Sequence, residues 1–157
     1  MSEKLLTDVS SNVKETLEKI EKAAVAAGRE PSEIKLMAVT KTVPPEKINE
    51  AVDAGCLILG ENKVQEFLEK YECYDKRAEI HFIGRLQTNK VKYIVDKVSM
   101  IESVDSIRLA EEIEKRCAKI DKVMDILLEI NIADEESKGG FSPDEVVAIS
   151  EKIKDFQ

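Results

Sequence analysis

The feature that most constrains this chain is a series of short apolar segments of strand length, each stopped by a glycine or a polar residue. They fall at 34–40, 56–59, 80–83, 100–104 and 124–130, the fourth being the weakest. Between them apolar residues recur at steps of three and four, the spacing of one helix face. Strand ends near residues 41, 60, 84, 104 and 131 therefore alternate with helices at the spacing of a β/α unit. Such alternation predicts a parallel α/β protein. Two architectures stay open: a complete five-stranded open sheet of flavodoxin-like size, or five units of a (β/α)8 barrel, whose usual size of roughly 250 residues exceeds this chain.

The helical stretches carry their own punctuation. Leu6, Val9, Val13, Leu17, Ile20 and Ala24 line one face of a first helix, which Gly28 and Pro31 end. Pro45 suits the first turn of a second, with Ile48, Ala51 and Val52 inward and Gly55 closing it. Gly60-Glu61-Asn62 is read as the opening of a third helix through Val64, Phe67 and Leu68. Val91, Ile94 and Val95 have helical spacing, and a longer helix carries Ile107, Leu109, Ala110, Ile113 and Cys117. Ser142-Pro143-Asp144-Glu145 is a capping box that opens the last helix.

Composition narrows the function classes. At 157 residues, 43% hydrophobic and 36% charged, the chain has apolar material for one core and is expected to form one domain. A formal charge of −8 argues against binding nucleic acid or an anionic membrane, which require clustered cations; small molecules are the expected partners. Cys56, Cys73 and Cys117 are too sparse for a disulfide framework and lack metal-ligand spacing. With no signal-peptide core and no bilayer-length apolar run, the expected location is the cytoplasm.

Lys41 is the first candidate for chemistry. It directly ends the apolar run 34–40, and Pro44 and Pro45 prevent the strand from continuing. Parallel α/β proteins bind ligands outside the carboxyl ends of their strands. A Schiff-base lysine must be neutral to attack an aldehyde, and an apolar wall penalises its ammonium form; a lysine there could equally snorkel to water. The amide of Asn62 could bind a cofactor hydroxyl or oxygen, or could simply cap a helix. His81, the only histidine, reads as a hydrogen-bonded core residue. Arg85, Gln87, Asn89 and Lys90 form a polar loop on the ligand side, and Lys138 in the glycine-containing loop 131–140 could face the same side as Lys41. No Ser-His-Asp arrangement, phosphate-binding glycine motif or metal-ligand cluster is readable.

Several segments together resemble one family. Ala38-Val39-Thr40-Lys41 followed by proline, Gly60-Glu61-Asn62 with Gln65-Glu66, His81-Phe82-Ile83-Gly84 with Leu86-Gln87 and Asn89-Lys90, and Asn131-Ile132 with Glu136, Lys138 and Gly140 look like the pyridoxal-phosphate homeostasis proteins, YggS or PROSC. The resemblance implies an alanine racemase N-terminal-domain fold, a (β/α)8 TIM barrel. It implies pyridoxal 5′-phosphate held as an aldimine on Lys41, with Asn62 as a further cofactor contact. Family members are thought to carry or buffer the cofactor without established turnover; a small amino-acid racemase and a cofactor-free flavodoxin-like interaction domain are the alternatives.

Two departures from the family pattern follow from the same comparison. Some relatives have a second lysine two positions after the Schiff-base lysine, where this chain has Val43. The family also continues through three more strands, with Gly-Met-Ser and Arg-Ile-Gly segments that hold the phosphate. The resemblance therefore implies that residues 1–157 form one barrel domain lacking strands six to eight, that this chain alone binds the cofactor weakly or not at all, and that it self-associates, pairs with the missing C-terminal fragment or is unusually unstable.

Overall fold

The computed structural model describes residues 8–133, 139–154 and 156. In chain order its main elements are α1 (Val9–Ala26), β1 (Met37–Val39), α2 (Pro45–Asp53), β2 (Ile58–Glu61), α3 (Val64–Lys70), β3 (Glu79–Phe82), α4 (Val91–Ile94), β4 (Met100–Val104), α5 (Ile107–Cys117), β5 (Asp125–Leu128) and α6 (Val146–Ile153). The five strands form one sheet in the order β1-β2-β3-β4-β5. Parallel registers set Met37 opposite Ile58, His81 opposite Met100, and Met100 opposite Asp125. A flavodoxin-like sheet is ordered 2-1-3-4-5, because its chain reverses direction across the sheet. Strands that follow one another in chain order are those of a (β/α) barrel, so the open flavodoxin-like alternative is set aside.

The chain divides into two compact units: Met1–Gly60 with Glu69–Glu79, and Glu61–Leu68 with Ile80–Gln157. In the first unit Asp8 caps α1 by accepting the Ser10 N–H at 3.1 Å. Pro45 at the first helical position starts α2, whose Ile48, Ala51 and Val52 are buried on one stripe. Gly55 then takes φ +105, a conformation side chains rarely adopt, and turns the chain towards β2. Burial of Ile48 and of Val52 contributes about 1.5–3 kcal/mol each.

In the second unit Phe67, Phe82, Ile94, Ile101, Val104 and Leu109 are fully or almost fully buried. Ser106 starts α5 by accepting the Leu109 N–H at 3.4 Å. Leu109, Ala110, Ile113 and Cys117 are its buried face, and the Arg116 guanidinium bonds Glu112 on its flank. Ser142 and Glu145 make the expected reciprocal capping box, followed by a short 3-10 turn and α6.

Three sequence expectations need correction. The strand expected at 34–40 is confined to Met37–Val39, because these are the residues that pair in register with Ile58–Gly60 of β2. Gly60 and Glu61 belong to β2 and not to a helix opening, since the Glu61 carbonyl accepts the Ile83 N–H at 2.9 Å. The helix around Val91 is only Val91–Ile94, preceded by a 3-10 turn at Thr88–Lys90. Lys138 lies outside the described residues.

Candidate cofactor site

Lys41 stands on a tight turn in the first unit. The Val43 N–H donates to the Thr40 carbonyl at 3.1 Å, which makes Lys41 and Thr42 the two central residues. Thr42 has φ 62. A β-branched residue in the left-handed region costs on the order of 1–3 kcal/mol and persists only where its surroundings hold it. Those surroundings begin with Thr40, which is buried and donates both its N–H, at 3.0 Å, and its hydroxyl, at 3.3 Å, to the Gly60 carbonyl. From the other side the Lys70 ammonium donates to the carbonyls of Thr40 and Val43. The Lys41 side chain itself is exposed, so no apolar wall covers it among the described residues; the buried residue of the pair is Thr40.

Asn62 follows β2 in the second unit. A Cβ added at Gly84 would lie 2.1 Å from the Asn62 carbonyl oxygen, so these two backbones touch as only glycine allows. The Gly84 carbonyl accepts from the buried Ser103 hydroxyl at 2.5 Å, which fixes the same loop from β4. Asn62 Oδ1 is buried without a hydrogen-bond partner. It does not cap α3; the Lys63 carbonyl accepts the Phe67 N–H at that helix start. Orphaned buried acceptors are uncommon and costly, and one at a strand end is a fitting partner for a ligand donor.

A cleft of about 990 Å³ brings Asn62 together with Arg85, Gln87, Asn89 and Lys90, the polar loop picked out in the sequence. Arg85 Nε lies 3.7 Å from Asp105 Oδ2 at its edge. His81 keeps out of this loop: buried in β3, its Nδ1 is 2.6 Å from Glu102 Oε1 on β4, as expected of a hydrogen-bonded core histidine. Glu61, fully buried in β2, is a polar residue whose placement the sequence did not disclose. Cys56, Cys73 and Cys117 are all free thiols, and burial pushes those of Cys56 and Cys117 above the ordinary thiol range, away from nucleophilic use. No group of three His, Cys, Asp or Glu among the described residues could hold a metal ion, and no described helix is long and apolar enough to cross a membrane.

The chain that forms this parallel sheet in chain order matches a known family. The model of the alanine racemase N-terminal domain matches residues 11–157, and the chain belongs to that family. Among its relatives is the pyridoxal phosphate homeostasis protein of Aquifex aeolicus, 51% identical over 136 residues, covering 86% of this chain and 60% of the relative. The crystal structure of a protein from Bifidobacterium adolescentis has TM-score 0.87 and 36% identity, covering 96% of this chain and 65% of the other. PipY of Synechococcus elongatus, solved with PLP bound, has TM-score 0.71 and 28% identity, covering 88% of this chain and 65% of PipY. The chain thus spans roughly three-fifths to two-thirds of the length of these proteins.

Proposed function

We propose that this chain is the lysine-bearing part of a pyridoxal-phosphate-binding protein of cofactor homeostasis, with Lys41 as the covalent attachment point. The observation that carries the reading is the exposed Lys41 on a held turn at the carboxyl end of β1, in a family member similar to PipY, which has been solved with PLP bound. When bound, the cofactor supplies an aldehyde and an electron-withdrawing ring. Lys41, through its Nζ, is the residue that would hold that aldehyde. Asn62, with a buried Oδ1 awaiting a donor, is the residue we assign to a cofactor hydroxyl.

The protein acts as a carrier and not as a racemase. Racemisation needs an acid and a base on opposite faces of the substrate, and the relatives bear a homeostasis name rather than an enzyme's. The cofactor is its small-molecule partner; nucleic acid and membranes are not, in keeping with the net charge of −8. Free thiols fit a cytoplasmic setting.

The test mixes the chain with pyridoxal phosphate, records the absorbance of the lysine-bound form, and then offers L-alanine. The expected result is a band that Lys41→Ala abolishes, with no D-alanine formed. Catalytic appearance of D-alanine, dependent on Lys41, would replace the carrier by a racemase.

A further inference from the structure

We infer that Lys70 is a positioning residue for Lys41, an inference that rests on the function just proposed. Lys70 is the last residue of α3, where a lysine ordinarily reaches into water or towards the final carbonyls of its own helix. Here its ammonium crosses to another segment and donates to Thr40 O at 3.2 Å and to Val43 O at 3.1 Å. Those carbonyls belong to the first and last residues of the Lys41 turn. One cation therefore ties the two ends of the turn together, across sequence separations of 30 and 27 residues.

The arrangement answers a specific need. Thr42 at φ 62 would relax if its neighbours allowed, and relaxation would rotate the backbone from which the Lys41 side chain departs. The Val43-to-Thr40 hydrogen bond restrains the turn from within. Lys70 adds two charge-assisted bonds, and its contact with Thr40 makes that carbonyl accept from both Val43 and Lys70. The direction of Lys41 is thus set by a second lysine that need not touch the cofactor.

The test compares Lys70→Met, which keeps the apolar stem, with Lys70→Arg, which keeps a cationic donor. Amide exchange at Val43 reads the turn without cofactor, and the rate of borohydride-trapped pyridoxal phosphate at Lys41 reads its consequence. Lys70→Met is expected to speed Val43 exchange and slow Lys41 trapping, each by about tenfold, with Lys70→Arg restoring most of both. Thr42→Gly, which removes the strain, should recover trapping in the Lys70→Met background. Unchanged Val43 exchange in Lys70→Met overturns the clamp, and faster exchange with unchanged trapping overturns its positioning role. Should wild type never label at Lys41, the cofactor reading fails while Val43 exchange still judges the clamp. If Lys70→Met does not fold, Lys70→Gln, with a shorter neutral donor, is subject to the same two readouts.

Discussion

Gly84 is where a single added carbon would be felt most sharply. Its missing Cβ is occupied by the Asn62 backbone, with no flexible side-chain end to give way. Gly84→Ala should destabilise the chain by about 3 kcal/mol or more, measured by urea unfolding, and should disturb Asn62 before it disturbs His81. At the protein's edge, Asp75 holds a different prediction. The Arg77 guanidinium hydrogen-bonds its carboxylate and lowers its pKa from 3.8 to about 2. A carboxyl depressed on folding stabilises above its ordinary pKa, so this contribution is present above about 4 and is lost as pH falls towards about 2. In Arg77→Ala an NMR titration should move Asp75 back towards its ordinary value, with a small effect on stability because the pair is exposed to solvent. At this scale the sequence singles out Lys41 as a candidate because it directly follows the apolar run 34–40, and Asn62 because it lies shortly after the run 56–59. Lys70 was not: a lysine at a helix end looks the same whether it meets water or a carbonyl from 30 residues away.

Elements were legible wherever local chemistry decides them. Pro45 at the start and Gly55 beyond the end bracket α2, and Ser106 marks the start of α5, all readable without tertiary knowledge. Ser106→Ala should therefore cost about 1 kcal/mol in chemical denaturation and leave the strands intact. Strand bounds were less legible because a strand is defined by its partner. β1 counts only three residues against the seven apolar-run positions of 34–40, and β2 extends through Glu61, a charged residue that pattern alone assigns to a helix opening. Glu61 shows the limit most clearly: buried on both faces of a parallel sheet, a strand loses the alternation that would reveal which residues point inward.

For the whole molecule, strand order was the question that sequence left open. Five β/α units are compatible with an open sheet or with part of a barrel, and only the placement of β1 beside β2 alone, with β5 at the other end, chooses. Both edge strands carry half-exposed aliphatic residues, Val39 and Leu127, 50% and 49% exposed. Unprotected edges invite pairing with another chain. Sedimentation velocity should show concentration-dependent self-association of this chain, reduced in Leu127→Lys; a strict monomer at all concentrations would contradict that expectation. The central claim, however, concerns Lys41, and reductive trapping tests it most directly. The chain is saturated with pyridoxal phosphate, reduced with borohydride, digested and mapped by mass spectrometry. The account predicts label concentrated on the peptide carrying Lys41 and lost in Lys41→Ala; label spread evenly over the lysines, or undiminished in Lys41→Ala, would contradict it.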